Sequence, residues 1–478
     1  MYLGLDLGTS ALKALLIDEA QGVVAEASAP LSVERPHEGW SEQNPDAWIA
    51  AAETVFDALA EKGPLGAVRA IGLSGHMHGA TLLDASDHVL RPCILWNDTR
   101  AHREAAAMDA DPLWRAVSGN IVFPGFTAPK LHWLRAEEPA LFDRVAHVLL
   151  PKDFLRLWLT GEHVAEMSDA AGTSWLDTGA RDWSDRLLAL SHLDRGAMPR
   201  LVEGTEVSGS LRDDLRRRWG FAPNTPVAGG GGDNAASAIG MGVTRAGQAF
   251  VSLGTSGVLF AANDGYRPAP ETAVHTFCHA LPETWHQMGV ILAASDALNW
   301  FAGIAGTDAA DLTGNLARLR APGRTLFLPY LGGERTPLND ARIRAAFLGL
   351  EHATDRDAAT RAVLEGVAFA LRDCRDALAA TGTAIETCVA VGGGSRSDYW
   401  LQAIATALDL PLSVPAQGDY GAAFGAARLA MMAATGDLGL AVPPAIDRIV
   451  APDPSLTAAF AEGHARYRAA TKALQELS

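Results

Sequence analysis

The sequence predicts an α/β protein made of two related halves, and three observations carry that prediction. Short apolar runs lead into glycine-containing turns, as at residues 2–7 before Gly8-Thr9-Ser10. Later, a run at 387–391, the turn Gly392-Gly393-Gly394-Ser395 and a helical stripe at 397–408 follow one another; that order belongs to α/β architecture, with ligands at the strand ends. Leu7-Gly8-Thr9-Ser10 also recurs as Leu253-Gly254-Thr255-Ser256, again between two apolar runs. Such a repeat points to a duplicated domain carrying two phosphate-facing hairpins. The halves divide at residue 245, giving domains 1–245 and 246–478.

Each element follows from local pattern. Residues 2–7, 11–17 and 23–33, joined by glycine-containing turns, read as an antiparallel meander. Residues 45–62 read as a helix that starts after Asn44-Pro45 and stops at Lys62-Gly63-Pro64. Val68 to Leu73 reads as a buried strand. A helix is expected over 233–240, and another over 355–379, where Ala359, Val363, Val367, Ala370 and Leu371 form one stripe. A strand over 412–414, a helix from Gly421 and a C-terminal helix over 455–476, packed on the second domain, complete the pattern.

Composition narrows the function classes. The 478 residues carry a formal net charge of −17, which disfavours nucleic acid and anionic membranes as partners. A bound anion must then be held locally, by backbone amides or a metal. Cys93, Cys278, Cys374 and Cys388 fall in no metal-ligand spacing, so neither a zinc site nor a disulfide framework is expected, and a reducing cytoplasmic setting fits. The N-terminal stretch lacks the basic start of a signal peptide. No apolar run approaches the ~18 residues of a membrane span.

Several motifs carry chemistry. Asp6-Leu7-Gly8-Thr9-Ser10 combines a turn that can aim N–H groups at an anion with a carboxylate suited to Mg²⁺, and Lys13 adds a cation. Gly254-Thr255-Ser256-Gly257 is its partner turn. Four glycines at 229–232 allow close approach to a ligand and precede Asp233-Asn234. Asp233 is either a helix N-cap or a general base that takes a hydroxyl proton as phosphoryl transfer begins. Gly392 to Asp398 suits a nucleoside lying over glycines, although a plain tight turn gives the same pattern. His76 and His78, two apart on an extended segment, would face the same side, for substrate hydroxyls rather than a metal. Trp96, beside Asn97, Asp98 and Arg100, suits a sugar face or a core position.

Together these stretches resemble the FGGY carbohydrate kinases of the actin/hexokinase/sugar kinase superfamily, along the whole chain. The resemblance rests on SGHMHGATLLD at 74–84, LRPCILWNDTR at 90–100, GNIVFPGFTAPKLHWL at 119–134 and LLPKDFLRLWLTGE at 149–162. It continues with MSDAAGTSWLD at 167–177, GGGDNAASAIGMG at 230–242, LPYLGGERTP at 328–337 and GGGSRSDYW at 392–400. It implies two ribonuclease-H-like domains flanking a catalytic cleft, with ATP and Mg²⁺ as cofactors and D-xylulose as the acceptor. It places Asp233 as catalytic base and Met77, His78, Trp96 and Asn234 at the sugar. It places Gly8, Thr9, Lys13, Gly254 and Thr255 at the ATP phosphates, Gly393, Gly394 and Asp398 near adenosine, and Asp6 at the metal. Glu334-Arg335-Thr336 lies in a loop typical of such kinases, with no role attached. His76 stands where Gln is expected, which leaves fine sugar preference open among D-xylulose, ribulose, L-xylulose and pentitols. Family members are often homodimers, and no patch in the sequence marks an interface.

Overall fold

The computed structural model describes residues 1–314, 316–416 and 421–477. The first sheet contains β1 (Tyr2–Leu7), β2 (Ala11–Ile17), β3 (Val23–Pro30), β4 (Ala70–Gly75), β5 (Val207–Ser210) and β6 (Pro226–Ala228), in the order β5-β6-β4-β1-β2-β3. β1, β2 and β3 pair antiparallel, whereas β4 is parallel to β1 and β6 to β4. Gly231–Gly232 adds a short parallel pairing at the end of β4.

A second sheet follows the same plan. Its strands are β7 (Gly247–Leu253), β8 (Gly257–Asn263), β9 (His275–Cys278), β10 (Trp285–Ile291), β11 (Ile385–Val391), β12 (Leu412–Pro415) and β13 (Ile446–Val450), in the order β9-β10-β8-β7-β11-β12-β13. β7 is antiparallel to β8 and parallel to β11, which is parallel to β12. The repeated turn therefore sits at the same place in both sheets, between the first two strands.

The helices form where capping and apolar stripes demand them. α1 (Pro45–Lys62) is capped by the Asn44 side chain, with Pro45 in its first turn. It buries Trp48, Val55 and Phe56 on the first sheet's core. α2 (Pro151–Thr160) and α3 (Asp233–Met241) also serve the first unit. α4 (Ser295–Ala305), α5 (Arg356–Ala380) and α6 (Asp398–Leu408) pack in the second core. α8 (Thr457–Gln475) joins that core through Phe460 and Tyr467, whose hydroxyl accepts from the Tyr330 hydroxyl at 2.6 Å.

The chain forms two compact units that differ from the single cut expected at 245. The first comprises Met1–Thr244, Phe277–Trp285 and Tyr420–Pro443, and the second the rest. The helix α7 (Ala422–Thr435) belongs to the first unit for a steric reason. A Cβ on Gly4 or Gly72 would lie 2.0 Å from the Ala423 carbonyl or 1.8 Å from that of Ala426. The helix thus lies directly on the backbones of β1 and β4, burying Phe424, Ala427 and Met431 with Tyr2 and Ile17. All four cysteines are buried and free. No helix among the described residues is long and apolar enough to cross a membrane.

Candidate active site

Asp6 stands one residue before the end of β1. Lys13 of β2 and Ser74 of β4 are its neighbours across the sheet. Burial and then the charge of Asp233 push the Asp6 carboxyl up to about 6, against the pull of the Ser74 hydroxyl and the Lys13 ammonium. Its Oδ1 is buried without a hydrogen-bond partner. An orphaned carboxylate oxygen beside a second carboxylate fits a hard divalent cation such as Mg²⁺.

Asp233 opens α3, whose N-cap is Gly232 with no side-chain cap. It is therefore not the capping residue, and its carboxylate is directed to other partners. Its Oδ1 accepts from the Asn234 backbone N–H at 2.7 Å and from Asn234 Nδ2 at 3.0 Å. Burial raises its pKa, and those two donors oppose the rise. The helix N-terminus adds a partial positive charge that favours the carboxylate.

Two features fix Asp233 in place. The glycine run serves packing here: a Cβ on Gly229 would lie 2.2 Å from the Glu203 carbonyl, and one on Gly230, at φ +81°, 2.1 Å from that of Leu73. From the other side, a Cβ on Gly425 of α7 would lie 1.7 Å from the Ala236 carbonyl. Arg428 then donates to the carbonyls of Ile239 and Gly240 at 2.9 and 3.1 Å. A cation on the last carbonyls of a helix is favourable.

Met77 is buried, and its Sδ lies 3.1 Å from the Cβ position of Gly232. His78 adopts φ +71°, a left-handed conformation that costs a non-glycine residue roughly 1–3 kcal/mol. The Thr127 hydroxyl and Lys130 ammonium hold its carbonyl at 3.2 and 2.7 Å, Nδ1 lies 2.7 Å from the Gly172 carbonyl, and Phe126 stacks on the ring at 4.5 Å. This turn overrides the same-side expectation for His76. His76 is buried edge-on to Trp48, with both ring nitrogens unpartnered and its pKa pushed down to about 3 by burial and then by Lys130. It is a neutral packing ring.

The first turn is braced from both flanks. Trp96 is 48% exposed, and its Nε1 donates to Thr9 Oγ1 at 3.1 Å. Gln43 donates to the Thr9 carbonyl at 2.7 Å and is itself held by Trp48. The Gly8 N–H is spent inside the hairpin on Ala11, so Gly8 contributes shape rather than a donor. Because a trans peptide points its C=O and N–H in opposite directions, anchoring the Thr9 carbonyl turns the Ser10 N–H the other way.

Composition and motif reasoning missed a fully buried charge network behind this site. Lys152 lies 2.6 Å from Asp153, 3.1 Å from Asp169 and 3.5 Å from Glu166. Burial disfavours its charge, but the three carboxylates outweigh burial and raise its pKa. Arg156 donates to the carbonyls of Ala228, at 2.6 Å, and Gly229. Ser168, bonded to Glu166, accepts from the Gly232 N–H at 3.0 Å. The network thus grips the segment that delivers Asp233. Its sequence signal is Lys152-Asp153-x-x-Arg156, charges standing inside an otherwise apolar helix.

The second unit carries the other turn. The carbonyls of Gly254 and Thr255 accept from the N–H groups of Ser295 and Ala294 at 2.9 and 2.8 Å. The N–H groups of Thr255 and Ser256 therefore point away from α4, an arrangement suited to an anion. Glu334 braces the same region: its Oε1 accepts from Leu292 at 3.0 Å, and burial pushes its pKa up to about 8. Gly393 is exposed with open space at its Cβ position, while Gly394 is packed on Leu253 and Trp400. Asp398 is exposed at the start of α6, paired with Arg448 at 2.8 Å. Both line a groove of about 930 Å³ with Arg396, Gln402 and Thr313.

Residues 1–240 match the N-terminal domain of the FGGY family of carbohydrate kinases, and 249–434 match its C-terminal domain. The chain belongs to that family. The xylulose kinase of Escherichia coli K12 is 47% identical over 449 residues, covering 92% of this chain and 91% of the relative. A crystal structure described as a xyloylose kinase from Brucella ovis is 60% identical, with a TM-score of 0.98 and full coverage of both chains. That of a xylulose kinase from Rhodospirillum rubrum is 28% identical, with a TM-score of 0.93 over 100% of this chain and 99% of that one. The fold is thus the two-domain α/β fold of the actin/hexokinase-like sugar kinases, and the chain is an enzyme that phosphorylates a sugar.

Proposed function

We propose that this kinase transfers the γ-phosphoryl group of ATP to D-xylulose, giving D-xylulose 5-phosphate. The 47% identity to the Escherichia coli xylulose kinase across almost the whole chain supports the sugar. One observation supports the mechanism above the others: Asp233 is partly buried, raised in pKa by desolvation and oriented by two donors from Asn234. A carboxylate in that setting accepts the proton of the sugar's terminal hydroxyl as its oxygen attacks the γ-phosphorus.

In this reading Met77 and the rigid His78 select the sugar, Asn234 orients it and the half-exposed face of Trp96 packs against it. Thr9 and Lys13, shaped by Gly8, meet the phosphates from the first turn. Gly254 and Thr255 meet them from the second, and the adenosine lies by Gly393, Gly394 and Asp398. Gly394 contributes shape there, since Trp400 covers it. Asp6 would hold Mg²⁺, which supplies charge neutralisation at the phosphates. Assembly is read as a homodimer and the setting as cytoplasmic.

Asp233→Ala tests the base. Its turnover on D-xylulose should fall by about 10²- to 10⁴-fold while ADP still binds. Near wild-type turnover would remove Asp233 from that role.

A further inference from the structure

A second cluster of chemistry-bearing side chains lies in the first unit, outside the residues considered so far. Asp87 sits at φ +62° in the turn after Thr81–Leu83. His147 opens the strand His147–Leu149, which pairs antiparallel with Thr81–Leu83, opposite Leu83. His163 precedes Val164–Glu166, and its carbonyl accepts from Arg200 at 3.0 Å. These three segments bring the side chains together. His163 Nε2 lies 2.8 Å from Asp87 Oδ1, and the two imidazole rings lie 4.3 Å apart at 34°. One ligand atom from each residue falls within 4.8 Å of the other two.

The donor chemistry is selective. Two imidazole nitrogens and one carboxylate oxygen suit borderline divalent ions such as Zn²⁺, whereas Mg²⁺ and Ca²⁺ prefer all-oxygen sites. Tetrahedral Zn²⁺ needs its ligands at roughly 2.0–2.2 Å. Atoms within 4.8 Å of one another reach that shell by small side-chain rotations. All three side chains have access to solvent, so water can complete the coordination. Burial and the facing His163 ring lower the pKa of His147, against the pull of Asp87.

We propose that Asp87, His147 and His163 form a binding site for a transition-metal dication of the Zn²⁺ class, distinct from any ion at Asp6. Such an ion ties together three segments that lead elsewhere. Thr81–Leu83 follows His78, His147–Leu149 leads to Lys152, and Val164–Glu166 ends on Glu166 of the buried network. The site is a surface clamp on the supports of the sugar-side residues.

The test is calorimetric titration of metal-stripped full-length protein with Zn²⁺ in excess Mg²⁺, with thermal melts alongside. The wild type should bind one equivalent, and its Tm should rise with Zn²⁺. The double variant His147→Ala/His163→Ala should lose both effects, Asp87→Asn should weaken binding by about tenfold or more, and the control His102→Ala should behave as wild type. The partly exposed positions allow these variants to fold, which their metal-free melts report. Absence of binding to wild type at about 100 µM Zn²⁺, or binding undiminished in the double variant, overturns the proposal. Neither result bears on D-xylulose phosphorylation, which is assayed separately without Zn²⁺.

Discussion

The two copies of the strand–turn–strand unit share a topology and differ in charge. In the first, Asp6 precedes Leu7-Gly8-Thr9-Ser10 and Lys13 follows. In the second, the corresponding positions are Ser252 and Leu259. The first turn thus combines a carboxylate raised to about 6 with a facing cation. The second is uncharged and is shaped by the backbone of α4. The two copies of one strand–turn–strand plan thus differ in chemistry: the first pairs a carboxylate with an ammonium, and the second carries neither.

The largest expected effect separates the copies directly. Asp6→Asn should lower kcat by about 10²- to 10³-fold, the scale of a lost transition-state electrostatic group. Ser252→Ala should change kcat by less than about tenfold, because it removes no charge. Steady-state kinetics at saturating Mg-ATP checks both, and equal losses would break the comparison. Next is Lys152→Met, which leaves Asp153, Glu166 and Asp169 facing Arg156 alone. Breaking a buried ion pair this way costs about 3–5 kcal/mol, visible as a lower denaturant midpoint for the first unit.

A smaller effect concerns pH. Asn234 supplies both donors that hold down the Asp233 pKa. Asn234→Ala removes the side-chain donor, so the carboxyl takes up its proton at a higher pH. The acid limb of kcat/KM should move upward, with more activity lost at pH 6 than at pH 8. An unmoved limb would mean that Asp233 is not the titrating base. The smallest effect is at Trp96. Trp96→Phe keeps an aromatic face but loses the bond to Thr9, worth about 1 kcal/mol, or roughly fivefold in kcat/KM.

The legible parts of the sequence were those set by local chemistry. Asn44-Pro45 marks the start of α1, the repeated Leu-Gly-Thr-Ser marks both hairpins, and strand–glycine turn–helix order marks the sheets. Long-range packing was not legible. Nothing near Gly425 announces that α7 returns to lie on β1, β4 and α3, because the close approaches at Gly4, Gly72 and Gly425 join backbones far apart in the sequence. Of the 229–232 glycines, which the sequence reads as ligand-facing, Gly229 and Gly230 pack on the backbones of Glu203 and Leu73. His76 escaped for a different reason: alternation along a strand assumes extended backbone, and His78 leaves it at φ +71°.

The central claim is best tested by ADP release from Mg-ATP across D-xylulose, D-ribulose, L-ribulose, L-xylulose, D-arabinitol, glycerol, gluconate and a sugar-free blank, in wild type and Asp233→Asn. Wild type should show clear preference for D-xylulose and the variant a loss of about 10²-fold or more, with ADP binding retained. Release no faster than the blank with every sugar, or a variant as active as wild type, would contradict it.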